Sequence, residues 1–207
     1  MPAPVKIYFA SSNSGKLAEF RALAESHAAG PSSSAKVLVE PLPRFESLAP
    51  FEENAPTFGE NALGKALYYS QLSDGIVFAD DSGLVVPALG GAPGVHSARY
   101  AGPDATSADR IAKLLQELAG KPRQDRAAYF CCVIAVIRRG LPMAVISNRA
   151  DGKILEAPRG TGGFGYDPIF YSPALDRTFA ELTAQQKNRH SHRGKAFRRV
   201  LSFLNTE

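Results

Sequence analysis

Phe78-Ala79-Asp80-Asp81-Ser82-Gly83-Leu84 constrains this chain more than any other stretch. Ile76 to Ala79 is a brief apolar run opened by Asp74-Gly75, the pattern of a buried strand. Two carboxylates follow at its carboxyl end, and Gly83 allows the backbone to turn. In α/β sheets ligands collect outside the carboxyl ends of strands. Neighbouring strand residues point to opposite faces, so Asp80 and Asp81 are expected to do separate jobs. One could hold a metal or activate water while the other is tied into the structure. Asp, Ser and Gly also favour an ordinary strand-end turn, so the rest of the chain has to decide.

The chain alternates strand-like and helix-like segments. Val5 to Ala10 reads as a strand and Lys16 to His27 as a helix, with Leu17, Phe20, Leu23 and Ala24 on one face. Between them, Ser11-Ser12-Asn13-Ser14-Gly15-Lys16 suggests a phosphate cradle, because free backbone N–H groups and the helix dipole both favour an anion. It is not a Walker A loop, which needs Gly where Ala10 stands and Ser or Thr where Leu17 stands. Residues 28–35 are small and Ser-rich and read as a solvent loop, followed by a short strand at Val37-Leu38-Val39. An irregular acidic stretch with Glu46, Glu52 and Glu53 leads to Thr57-Phe58-Gly59-Glu60, a capping box opening a helix to about Leu72. Asn61 and Lys65 share a face of that helix. Ala108 to Leu118 is an amphipathic helix that packs on the core and carries no chemistry, and Ala127 to Ile137 is a long strand. Met143 to Ser147 returns after a turn, and a further strand is expected over Gly152 to Ala157.

Gly160-Thr161-Gly162-Gly163-Phe164-Gly165-Tyr166-Asp167-Pro168 lets backbone approach a ligand closely, and Phe164 with Tyr166 could stack on a planar base. A glycine-rich hairpin with core aromatics has the same composition. Thr183-Ala184-Gln185-Gln186 caps a short helix carrying Lys187. The last helix begins near Ser191-His192-Arg193 and buries Phe197, Val200, Leu201 and Leu204. Cations in a first helical turn suggest an anionic or carbonyl-bearing group opposite. His190 and His192 lack the further His or Cys that a zinc site needs.

Bulk properties narrow the class. At 207 residues the chain has room for one domain with a substantial core. The net charge of +4 suits a polyanion site, though solvated Lys and Arg give the same count. Cys131 and Cys132 are adjacent, have no metal or redox spacing, and read as buried and reduced. No leader pattern and no apolar run of transmembrane length is visible, so a cytoplasmic protein is expected. Carboxylates at a strand end, scattered lysines and a Gly/aromatic loop, with no Ser-His or Cys-His pair, suit metal-assisted hydrolysis of a nucleoside polyphosphate.

Four motifs in order carry a resemblance: Ser11-x-Asn13-x-x-Lys16, Phe58-x-Glu60-Asn61-Ala62, Ala79-Asp80-Asp81-Ser82-Gly83-Leu84, and Gly162-Gly163-Phe164-Gly165-Tyr166-Asp167-Pro168. Gly90-Gly91-Ala92-Pro93-Gly94, Ser97-Ala98-Arg99-Tyr100 and Ser191-His192-Arg193-Gly194 add to it. Together they resemble the inosine triphosphate pyrophosphatase family in its bacterial RdgB form, from about Lys6 to Leu204. The resemblance implies one α/β domain over 1–207, with a long mixed central β-sheet flanked by helices and two lobes about an active-site cleft. It implies a homodimer, magnesium, and hydrolysis of ITP, dITP and XTP to the monophosphate and pyrophosphate, with no nucleic acid or membrane partner.

By the same resemblance Asp81 is the general base and a metal ligand, Glu53 the other metal ligand with Glu52 its rival, and Lys65 a catalytic residue. Ser11, Ser12, Asn13, Lys16, Lys65 and Lys187 hold the triphosphate, and Ser82 lines the site. Phe164 stacks on the base within the Gly165-Tyr166 loop, and Asp167, His192 and Arg193 read its edge. A 6-oxo group accepts where adenine's amino group donates, so a site of donors leaves the wrong base unpaired. Two rivals differ in what they predict. A Maf-type pyrophosphatase would prefer pyrimidine or modified nucleotides, and a non-catalytic RNA-binding protein would lack hydrolysis while the chain shows no RRM or KH signature.

Overall fold

The computed structural model describes residues 4–28 and 36–205. Its seven strands form one mixed sheet in the order β2-β1-β3-β4-β5-β6-β7. The chain divides into two compact units, Met1–Asp81 with Cys132–Asn148 and Arg193–Glu207, and Ser82–Cys131 with Arg149–His192.

The first unit is built on parallel crossovers. β1 (Val5–Phe9) leads through α1 (Ser14–Ala28) to β2 (Val37–Pro41), and α2 (Phe58–Ser70) leads to β3 (Ile76–Val85). β1 pairs in parallel with both strands, Val5 against Val37 and Ile7 against Ile76. Parallel neighbours require such helical connections, and the helices cover the sheet. α5 (His192–Leu204) adds Phe197, Val200, Leu201 and Leu204 to the core, one face at helical spacing. The centre is aromatic: Phe9 stacks on Phe78 at 5.0 Å, and Phe20 meets Phe197 at 4.7 Å.

The second unit has its own core of Leu84, Val86, Ile111, Leu114, Leu118, Phe130, Phe170 and Phe179. α3 (Ser107–Glu117) starts with a full capping box between Thr106 and Asp109. β6 (Phe170–Ser172) and β7 (Arg177–Thr178) extend the sheet antiparallel, and α4 (Ala184–His190) is capped by Thr183 and Gln186.

Three expectations need correction. β3 does not end at the acidic pair. It runs ten residues through Asp80, Asp81 and Gly83 to Val85, because cations meet the charge of Asp80 inside the fold. The two strands expected over 143–157 are a single β5 (Leu141–Ile154), joined to β4 (Ala127–Arg138) by a left-handed turn at Arg139 and Gly140. Gly152 does not break β5. A Cβ there would lie 2.5 Å from the Tyr171 carbonyl oxygen and 2.6 Å from the Phe170 ring, so the glycine permits close approach of β6. Cys132 is buried, whereas Cys131 is only half-buried, and neither is in a disulfide. The Ser-rich stretch at 29–35 lies outside the described residues. No helix among the described residues is long and apolar enough to cross a membrane.

Candidate active site

In the first unit, the turn between β1 and α1 is organised by its own side chains. Asn13 Oδ1 accepts from the Lys16 amide at 2.9 Å, capping α1, and Ser11 Oγ accepts from the Asn13 amide at 3.2 Å. This leaves Lys16 at the start of the helix with its ammonium directed to Asp80, at 3.0 Å from Oδ1 and 2.9 Å from Oδ2. Ser11 and Ser12 line a cavity of about 400 Å³ with Glu53, Lys65, Phe45, Phe51 and Tyr69.

α2 supplies the next layer. Thr57 accepts from the Glu60 amide at 3.1 Å, fixing where the helix starts and therefore which way Asn61 and Lys65 point. Both are buried, so Lys65 is not a solvated surface lysine. Asn61 Oδ1 accepts from the Ala55 amide at 3.0 Å, and its Nδ2 donates to Asp81 Oδ2 at 3.0 Å. Lys65 Nζ forms an ion pair with Glu53. Glu52 is exposed and accepts from the Asn54 side chain at 2.9 Å, so Glu53 is the acid on the Lys65 side.

The adjacent aspartates behave differently. Asp80 is fully buried, and burial alone would raise its pKa. Lys16, Arg193 and Lys65 outweigh that and hold its carboxyl far below the usual carboxylate range. Asp81 is pushed up to about 6, by burial first and then by the charge of Glu53, against the Asn61 hydrogen bond and Lys65. Lys65 is raised: burial opposes its charge, but Asp80, Glu53 and Asp81 prevail. Asp80 is therefore a fixed anion, while Asp81 can exchange a proton near neutral pH.

In the second unit, Phe164 is 43% exposed and is held by a shared carboxylate. Asp167 Oδ2 accepts from the Phe164 amide at 2.9 Å and from Lys187 Nζ at 2.6 Å. The same ammonium lies 4.3 Å from the centroid of the Phe164 ring. His192 stacks on Phe130 at 4.7 Å with rings 13° apart. Ser82 is half-buried on β3, and Gly165 adopts the left-handed backbone that the turn after Phe164 requires.

Several predicted residues stand in other company than expected. Lys187, assigned to the triphosphate, belongs to the second unit and pairs with Asp167 against Phe164. Arg193, assigned to the base edge, lies in the first unit, pairs with Glu19 and has Nε 3.7 Å from Asp80. Tyr166 is not an open stacking surface. It is 4% exposed within the core, with its hydroxyl donating to the Ser97 carbonyl at 3.0 Å. Asp80, which gathers Lys16 and Arg193, is the member of the acidic pair tied into the structure, as the alternation of the strand suggests. One residue was missed. Glu19 sits three residues after Lys16 on α1, the spacing of one helix face, which was the available signal.

The donor set fits a hard divalent cation. The charge of Glu53 raises the cost of ionising Asp81, as the upward displacement of Asp81 records, and a bound cation would relieve it. No group of three or more His, Cys, Asp or Glu side chains suited to a metal occurs among the described residues. An ion held by two carboxylates would draw its other ligands from water and phosphate, the habit of magnesium.

Residues 7–203 match the Ham1 family. A dITP/XTP pyrophosphatase of Geobacillus kaustophilus is 49% identical over 94% of this chain and 92% of its own length. One of Desulfotalea psychrophila is 44% identical over 94% of this chain and 82% of its own. Among solved structures, a HAM1 protein from Coxiella burnetii is 41% identical with a TM-score of 0.86, over 98% of this chain and 100% of that one. The Staphylococcus aureus Ham1 protein reaches 0.83 at 37% identity, over 97% and 98%. The α/β fold with its mixed seven-stranded sheet agrees with these structures, and nucleotide pyrophosphatases of this kind are generally metal-dependent. This chain belongs to the Ham1 family, to which its ordered motifs had pointed.

Proposed function

We propose that this protein hydrolyses nonstandard purine nucleoside triphosphates, ITP, dITP and XTP, to the nucleoside monophosphate and pyrophosphate, so removing deaminated purines from the nucleotide pool. The relatives named dITP/XTP pyrophosphatase support the substrate class. The observation that carries the chemistry is the split between Asp80 and Asp81, one locked as an anion and the other pushed up to about 6 beside Glu53 and Lys65. A carboxylate poised there takes the proton of an attacking water at neutral pH. Asn61 orients that carboxylate through its 3.0 Å hydrogen bond. Ser11, Ser12, Asn13, Lys16 and Lys65 surround the triphosphate, Lys16 being steered by Asp80 and Lys65 offsetting charge that builds on the leaving pyrophosphate.

Magnesium, held by Glu53 and Asp81, would neutralise phosphate oxygens and lower the pKa of bound water. Phe164 stacks on the base, with Asp167, His192 and Arg193 reading its edge, and Lys187, which pairs with Asp167 against the Phe164 ring, moves from the triphosphate to the base side. Ser82 and the Gly165-Tyr166 turn shape the surroundings, Tyr166 from within the core. The two units act as one catalytic domain, working in the cytoplasm as a homodimer. The test is pyrophosphate release with magnesium from ITP, dITP, XTP, ATP, GTP and UTP. Fast release from the first three and slow release from the others is expected. Preference for UTP, or RNA binding without hydrolysis, would replace this reading with a rival.

A further inference from the structure

The loop ahead of Asp167 is built around a carboxylate that the chain itself uses. Asp167 is 2% exposed, and its Oδ2 accepts from the Phe164 amide at 2.9 Å and from Lys187 Nζ at 2.6 Å. Lys187 in turn lies 4.3 Å from the Phe164 centroid. One oxygen thus ties the backbone under the aromatic platform to the ammonium against its face. An arrangement fixed in advance costs a ligand less to engage than one that must order on binding.

Gly163 is what leaves this oxygen its place. A Cβ at that position would stand 2.1 Å from Asp167 Oδ2, 2.9 Å from its Cγ and 3.0 Å from its Cβ. The backbone is left-handed, with φ +70°. Gly140, in the turn between β4 and β5, provides a comparison outside the site: its φ is +73°, but a Cβ there would meet nothing within 4 Å. A methyl at either position strains the backbone similarly, whereas only at 163 does it drive the carboxylate away.

We propose that Gly163 is a positioning residue for base recognition, which by leaving room for the Asp167 carboxylate sets Lys187 and Phe164 as a preformed clamp on the base. Asp167 then acts through these two groups. The proposal rests on the base-side reading above. It bears on binding of the base, whereas Asp81 acts on the bond being broken.

The experiment compares Gly163→Ala with Gly140→Ala in steady-state hydrolysis of ITP, with thermal midpoints measured alongside. Gly163→Ala is expected to raise KM for ITP about tenfold, the loss of one charge-assisted contact, with kcat changed by less than about threefold. Gly140→Ala is expected to keep both within about threefold, at a similar thermal midpoint. In an Asp167→Ala background, Gly163→Ala should add no further rise in KM, because both act on the same contact. Should Gly163→Ala not fold, the isosteric Asp167→Asn carries the test and should raise KM for ITP in the same way. Equal KM for the two glycine variants, full additivity with Asp167→Ala, or an unchanged KM in Asp167→Asn overturns the proposal alone. A wild type that releases no pyrophosphate from ITP overturns the functional reading, and this proposal with it.

Discussion

Replacing Asp80 by Asn tests the claim that this residue is a structural anion. The substitution keeps the shape of the side chain and removes its charge. Asp80 is 0% exposed, and its partners Lys16 and Arg193 are 16% and 3% exposed at their side chains. Removing one member of a buried pair typically costs about 3–5 kcal/mol, because the other charge stays desolvated. Arg193 keeps Glu19, and Lys16 has some access to water, so the lower end applies, about 3 kcal/mol. Urea unfolding followed by circular dichroism at pH 7 measures it. The pH dependence gives a second check. The folded carboxyl titrates far below its unfolded value of about 3.9, so its contribution is fully present above that pH. It is lost as the pH falls below it, and the gap between wild type and Asp80→Asn should be constant from pH 6 to 8 and shrink below about pH 4. A difference under about 1 kcal/mol, or a gap that does not narrow in acid, would refute the reasoning.

Two further outcomes concern the other aspartate. Asp81→Asn should lower turnover of ITP about a thousandfold or more while nucleotide affinity, measured by calorimetry, stays within a few fold. Because Asp81 is pushed up to about 6, it carries a proton below that pH and, as the proposed metal ligand, would have to lose it to bind a cation. Magnesium affinity, titrated calorimetrically, should therefore weaken as the pH falls from 7.5 to 5.5, and Glu53→Gln should weaken it at both values.

The alternation of strands and helices was legible because it is local. Periodicity placed α1, α3 and α5, whose buried faces match the sequence pattern, and capping residues marked where α2 and α4 begin. What escaped was set by distant partners. Asp80-Asp81-Ser82-Gly83 has the composition of a turn, yet continues as strand because Lys16, 64 residues away, meets its buried charge. Arg193 finds Glu19 across 174 residues, and no window of sequence connects them. The Gly-rich loop offered two aromatics, and local sequence cannot say that Phe164 is exposed while Tyr166 anchors the core through Ser97. Gly152 reads as the start of a strand and Gly163 as part of a loop open to a ligand, but both serve close approach within the chain, to β6 in one case and to the Asp167 carboxylate in the other.

The most direct test of the central claim is to follow ITP hydrolysis with magnesium by phosphorus NMR and identify the products. Cleavage between the α and β phosphates predicts IMP and pyrophosphate in equal amounts, with no IDP at any time. Orthophosphate and IDP as the primary products would contradict it.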